Sequence, residues 1–427
     1  MRNLENHSLE RCTLMMLEVA MLVCVALSLS IRARAQAGQL DTSFGTGGIF
    51  SSNFGGTNAT INAVALQIDG KIVVGGAGGP GGKAGLARVT THGALDTSFG
   101  SGGIVTSNFN AQAPAAIVVA LAIQSDGKIV AAANGIPLRC AVGRFNTNGS
   151  VDTTFGTNGF VQVGKAGGAL LLALQSDGKI VVVGGTQMAR LTTTGQLDTS
   201  FGTGGLAVLL AQFPSAIALQ ADGKILIASG GFSPPAAVLN PPPATGSLAR
   251  YNPNGSLDTS FGISGQAASV ALPYAAAIQS DSKILVAGGI VSSLIATGNA
   301  SGFGVVRFNT NGSIDTTYGT RGGSTTGFGS LTLAGAFASK IQSNGDLVAA
   351  GEAGTTNGSQ LRLSFALARY TTGGQLDATF GTAGKVTTSF GSNGVALITG
   401  VVIQTDGKIV VAGDTNSNFA VARYLAL

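Results

Sequence analysis

Arg88-Val89-Thr90-Thr91-His92-Gly93-Ala94-Leu95-Asp96-Thr97-Ser98-Phe99-Gly100 joins the two halves of a pattern that fills the chain. The second half, Leu-Asp-x-x-Phe-Gly, begins at Leu40, Leu95, Val151, Leu197, Leu257, Ile314 and Leu376, with Tyr318 replacing the aromatic once. The first half is an apolar stretch ending in Arg. Six internal units place Arg and Asp eight residues apart: Arg88 and Asp96, Arg144 and Asp152, Arg190 and Asp198, Arg250 and Asp258, Arg307 and Asp315, Arg369 and Asp377. Asp41 has no such Arg before it, and Arg423 has no such Asp after it. The halves missing at the two ends complement each other, so Arg423 is expected to pair with Asp41 across a closed ring.

A third signal lies between these, an apolar run, then Gln-x-Asp-Gly-Lys, then another apolar run. It starts at Gln67, Gln124, Gln175, Gln220 and Gln404, with degenerate copies at Gln279 and Gln342. Asp-Gly between apolar runs predicts a type I′ hairpin turn. The Leu-Asp aspartates recur at intervals of 55, 56, 46, 60, 57 and 62 residues. Such a unit holds four ordinary strands with their turns, and the repeat is the first thing to read in such a chain. Runs such as Ile180–Val183 are apolar throughout, as in strands covered on both faces. The prediction is all-β, a seven-bladed β-propeller closed by its N- and C-terminal segments, over a single domain at 36–427. Closure removes the exposed sheet edges that an open solenoid would leave.

Residues 1–35 read as a signal peptide. Arg2 and Arg11 precede an apolar run from Leu14 to Ile31, and Ala33-Arg34-Ala35 is a cleavage site of small residues. Glu18 interrupts that run. The rival readings are an uncleaved anchor and, at Cys24, lipidation. Cleavage after Ala35 sends the chain to the periplasm, the cell surface or the medium. It leaves one cysteine, Cys140, hence no internal disulfide, and 20 basic against 16 acidic residues. That mild balance, without any basic run, gives nucleic-acid binding no support. No membrane span is expected after cleavage, and the ring is expected to be monomeric.

The quoted motifs resemble the delta-60 repeat, a bacterial family of similar unit length, over nearly all of residues 40–427. The resemblance implies a β-propeller-like domain in exported or surface proteins and carries no catalytic residues with it. Gln279–Lys283, where Ser282 replaces glycine, departs from the pattern, as does Asn344-Gly345-Asp346.

Ionisable residues argue against catalysis. Of the mature acids, seven are Leu-Asp aspartates and six more are turn aspartates: Asp69, Asp126, Asp177, Asp222, Asp281 and Asp406. Acids repeated in every unit serve turns and ion pairs, whereas acid–base catalysis needs two differently tuned carboxyls in one cleft. One acid per turn, followed by Lys, is also a poor calcium site. No metal, cofactor or catalytic set is predicted. His92 reads as a turn residue and Cys140 as a small apolar strand residue. The leading function is a binding or scaffold module for a protein or glycan, working through variable loops at Gly231–Gly246, Gly289–Gly302 and Gly351–Ser364. The alternatives are a polysaccharide lyase or hydrolase using Glu352, Asp414, Arg321 and Arg362, and a purely structural envelope module.

Overall fold

A computed structural model describes residues 36–426 apart from 57–58, 80–82, 108, 110–115, 136–138, 164–168, 211–212, 231–245, 270–271, 290–301, 358–359, 392–393 and 417. The signal-peptide reading of residues 1–35 therefore lies outside the described residues, as do most of the first two variable stretches. Among the described residues every regular element is a strand, and the strands form seven four-stranded antiparallel sheets.

Blade 1 runs from its innermost strand outward as Thr60–Leu66, Ile72–Gly79, Lys83–Val89 and Ile104–Ser107. Blades 2 to 6 repeat this order over 117–163, 169–208, 214–269, 272–326 and 333–388. Blade 7 takes three strands from the C-terminus, Ala396–Ile403, Ile409–Thr415 and Asn418–Tyr424, and its outermost from the N-terminal segment, Ile49–Ser52. The two ends pair in register from Ile49 opposite Ala422 to Ser52 opposite Phe419. Asp41 N–H donates to Arg423 O at 2.8 Å, and Gly38 N–H to Leu425 O at 2.7 Å. The innermost strand of blade 1 packs against those of blades 2 and 7, which closes the ring.

The core lies between blades. Val73 and Leu86 of blade 1 pack with Val118, Ile129 and Phe145 of blade 2, and Val348 and Phe365 of blade 6 pack with Ile398 and Val411 of blade 7. Second strands bury both faces, which accounts for unbroken apolar runs such as residues 225–228 of the strand Ile225–Ser229. Each innermost strand carries a bulge near its start, as between Ile61 and Ala63. Bulges add local twist, here on the innermost strand of every blade.

The Asp-Gly hairpins differ from the type I′ expectation. Gly70 N–H donates to Gln67 O at 3.0 Å, Gln67 N–H to Lys71 O at 2.9 Å, and only Gly70 of the pair has positive φ. The Asp69 carboxylate accepts the Lys71 amide at 3.1 Å. That local bond holds Asp at negative φ and leaves the left-handed step to the following residue.

Strand direction sorts the connections. The Asp-Gly turns and the Leu-Asp-x-x-Phe-Gly connections lie at one end of the blades, here the regular face. The links from second to third strand, and from one blade to the next, lie at the other. Gly351–Ser364 is not a loop there. It belongs to a long hairpin of Leu347–Asn357 and Gln360–Tyr370, whose alternating Leu361, Leu363 and Phe365 suit a strand.

Candidate functional site

On the regular face, each repeat motif ties its blade to the next. Arg88 Nε donates to Asp96 Oδ2 at 2.8 Å, and its Nη2 to Ser98 Oγ at 3.1 Å. Asp96 Oδ1 accepts the Ser98 hydroxyl at 2.6 Å and amide at 3.1 Å. The guanidinium lies 4.7 Å from the Phe99 ring centroid. Its remaining Nη1 donates to the carbonyl of Thr147, which belongs to blade 2. Five other pairs repeat the Nε–Oδ2 hydrogen bond: Arg144–Asp152 at 2.7 Å, Arg190–Asp198 at 2.8 Å, Arg250–Asp258 at 2.7 Å, Arg307–Asp315 at 2.8 Å and Arg369–Asp377 at 2.7 Å. Arg423 and Asp41 approach to 2.9 Å as an ion pair without hydrogen-bond alignment. Each Arg also reaches a carbonyl of the following blade, at Thr193, Pro253, Thr310, Thr372, Ala426 and finally Thr91.

The Phe-Gly glycine adds a second tie. Gly100 has φ of 55° and donates its N–H to Asn148 O at 2.9 Å, and an added Cβ there would meet Ile104 O at 2.3 Å. A side chain at that point would collide with backbone, so glycine recurs. The two acceptors facing blade 1, Thr147 and Asn148, are neighbours in one turn. The two facing blade 6 are Ala426, at 2.9 Å from Arg369, and Ala37, at 2.7 Å from Gly381 N. The two chain ends thus assemble one turn between them.

All seven arginines are buried, as are six of the aspartates, with Asp377 half-buried. Burial opposes ionisation of Asp41, but the Ser43 hydroxyl and amide, Arg423 and Lys408 outweigh it and lower the carboxyl to about 2. The other six Leu-Asp carboxyls are lowered too.

Sequence reading missed the lysine of the Asp-Gly-Lys turn as part of this network. Lys71 Nζ lies 3.0 Å from Asp96 Oδ2, and Lys128, Lys179, Lys224, Lys283 and Lys408 repeat the contact within 3.2 Å. Its recurrence in six units was the available signal. Blade 6 has Asp346 at this position, where burial, with help from Asp377, raises its pKa. Asp346→Lys is therefore expected to stabilise the protein by roughly 0.5–1 kcal/mol. Urea unfolding checks this, and an unchanged or lowered midpoint contradicts it.

The four residues considered for catalysis do not assemble. Glu352 and Asp414 are each the sixth residue of their second strands, in adjacent blades. Burial pushes Glu352 up to about 7, and its Oε2 is buried without a hydrogen-bond partner. Burial lifts Asp414 to about 6 although its Oδ1 accepts the Ile61 amide at 2.6 Å. Neither carboxyl perturbs the other. Arg362 is exposed towards the tip of the blade 6 hairpin, opposite Thr355. Arg321 is exposed in a connection of the regular face, at the other end of the ring. His92 is exposed beside Thr91 on that face, and Cys140 is buried in blade 2. Among the described residues no three His, Cys, Asp or Glu side chains group to hold a metal, and no helix is long and apolar enough to cross a membrane.

A family model described as a β-propeller domain of unknown function, DUF5122, matches residues 67–99, 124–155, 175–201, 243–261, 279–318, 342–380 and 404–426. Seven stretches that match this model, one in each blade, build the ring. Each match from blade 1 to blade 6 ends within or just beyond a Leu-Asp-x-x-[Phe/Tyr]-Gly signature, and the last ends on the strand of Arg423. The DUF5122 unit thus contains the turn lysine, the Arg strand and the carboxylate it pairs with, where that unit is complete. Among solved structures the chain is similar to virginiamycin B lyase from Staphylococcus aureus, with 14% identity, TM-score 0.55, and coverage of 88% of this chain and 98% of that one. It is also similar to a Trichoderma reesei protein of carbohydrate-active enzyme family AA12, with 13% identity, TM-score 0.39, and coverage of 91% and 98%. At such identities the likeness to the lyase shows the fold alone. No curated protein sequence matches this chain.

Proposed function

We propose that this chain is an exported propeller of the delta-60 repeat type that binds a protein or glycan through its variable face. The supporting observation is the division of labour between the two faces. The regular face repeats one set of contacts seven times, from Arg88–Asp96 round to Arg423–Asp41. A surface committed to joining blades tolerates little change. The opposite face holds the variation in length, from two residues between Gly184 and Gln187 in blade 3 to the extended hairpin of blade 6. Recognition concentrates on variable connections carried by a rigid scaffold. The residues 1–35 would direct export, placing that face in contact with extracellular partners.

The test is a binding screen of residues 36–427 against glycans and secreted proteins. It is repeated with the blade 6 hairpin shortened and with stretches 231–245 and 290–301 trimmed. The expected result is a partner held by the parent and lost on trimming. Capture that survives trimming places binding away from the variable face and overturns this reading, and a parent that holds nothing points instead to a purely structural module.

A further inference from the structure

The innermost strands surround the centre of the ring, and each is bulged near its start, towards the variable face. Asn62, Val119, Ser215 and Thr399 are the extra residues of blades 1, 2, 4 and 7. The three polar ones are committed to carbonyls. Asn62 Nδ2 donates to Val118 O at 3.0 Å, Ser215 Oγ to Pro273 O, and Thr399 Oγ1 to Ala412 O at 3.3 Å. Blades 5 and 6 differ. Their extra residues are Tyr274 and Phe337, both half-buried, with ring centroids 5.2 Å apart and planes inclined at 51°.

A carboxylate lies beside this pair. Glu352 is directly opposite Gly335 in blade 6, and opposed residues of a sheet project from the same face. A Cβ on Gly335 would meet the Phe337 ring at 3.3 Å, so that ring covers the face from which Glu352 projects. Tyr274 is near as well, since burial and then the Glu352 charge raise its pKa. Glu352 is half-buried, and burial alone shifts its carboxyl, so no neighbouring cation offsets the charge. Its Oε2 is enclosed, whereas Oε1, equally without a hydrogen bond, keeps access to solvent. The arrangement is not a property of the repeat. The same strand position holds Ala77 in blade 1 and Gly289 in blade 5, and in blade 7 Asp414 gives its Oδ1 to the Ile61 amide.

We propose that Tyr274, Phe337 and Glu352 form a binding site for a quaternary ammonium group. Aromatic faces carry partial negative charge and attract cations, most effectively those that shed water easily. A quaternary ammonium has no N–H to satisfy, which suits a site whose other polar groups are already committed to carbonyls. The Glu352 carboxylate supplies the counter-charge and needs no hydrogen-bond alignment to do so. Calcium takes about six to eight oxygens, and Glu352 offers one accessible oxygen beside two rings. An anion would be repelled by the same carboxylate.

The test titrates residues 36–427 by ligand-observed NMR at about pH 8, where Glu352 is ionised. The probes are choline, a free solute, and a trimethyllysine peptide, which carries the same head group on a protein side chain. At least one is expected to bind saturably, and the tighter of the two identifies the source. Neohexyl alcohol, the uncharged carbon analogue of choline, should bind at least about tenfold more weakly than the bound cation. Glu352→Gln should weaken that cation by about tenfold. Phe337→Leu and Tyr274→Leu should each weaken it about fivefold, with urea midpoints showing that the variants remain folded. Small probes do not need the variable loops, so this outcome and that of the loop-trimming screen are independent. No saturable binding of either probe up to about 10 mM, an uncharged analogue that binds as tightly as the cation, or Glu352→Gln matching the parent overturns the assignment.

Discussion

Arg423→Met is expected to lower the unfolding free energy by about 3–5 kcal/mol, the usual cost of stripping one partner from a buried ion pair. The guanidinium there makes three kinds of contact. Its Nε faces Asp41 at 2.9 Å, its Nη1 donates to Thr91 O at 2.6 Å in blade 1, and its plane lies 4.7 Å from the Phe44 ring centroid. Methionine keeps some of the packing on Phe44 but supplies no charge and no donor. Asp41 then keeps Lys408, at 3.2 Å and partly exposed, as its cation. Arg423 is also the link between the C-terminal strand and the segment that supplies the outermost strand of its blade. Loosening it therefore frays the closure as well as one hairpin. Arg321→Met is the control, an exposed arginine outside the network, with an expected change within about 0.5 kcal/mol. Urea unfolding of both variants decides the matter, and an Arg423→Met midpoint equal to the control's contradicts the view that this contact holds the ring shut.

The closure was legible because one hairpin carries two unlike signatures at a fixed interval. Arg and Leu-Asp are separated by eight residues in every internal copy, so a chain that opens on one and ends on the other announces the missing partner. The reach of each arginine into the next blade was not legible. Its acceptors are backbone carbonyls of Thr147, Thr193, Pro253, Thr310, Thr372, Ala426 and Thr91, and a carbonyl leaves no mark on residue type. The turn lysine was visible but attributed to its own turn. Lys71 is in fact closer to Asp96 at 3.0 Å than to Asp69 at 3.4 Å, a preference set by the neighbouring connection. The type I′ expectation failed because Asp69 spends its carboxylate on the Lys71 amide, which a dipeptide rule does not weigh. Glu352 and Asp414 were chosen for standing outside the repeat. Aligning the copies from Leu347 and Ile409 would have shown that they share one position, on separate blades.

Acid should unfold this protein in a window set by the Leu-Asp carboxyls. Asp41 has a folded pKa of about 2, and the other six are lowered as well. An unfolded aspartate titrates near about 3.9. As pH falls below about 5 the unfolded chain takes up protons before the folded one, so stability drops. A shift like that of Asp41 is worth roughly 2 kcal/mol above this range. A domain has about 5–15 kcal/mol in total. Losing the contribution of three or four such sites is enough, so unfolding should be complete before all seven have titrated, with a midpoint between about pH 2 and 3.5. Glu352 and Asp414 carry the opposite sign. Their folded values, about 7 and about 6, lie above the unfolded ones. The folded state keeps their protons after the unfolded state has lost them, so stability falls as pH rises through 6 and 7. Both are partly exposed, and solvent screening limits each to about 1 kcal/mol. The stability profile should therefore peak near about pH 5, steep on the acid side and shallow on the other. Chemical denaturation at a series of pH values gives the curve. Glu352→Gln should flatten the shallow limb and leave the steep one in place. A protein equally stable at about pH 7 and pH 3 would show that the aspartates of the inter-blade contacts gain nothing from their charge.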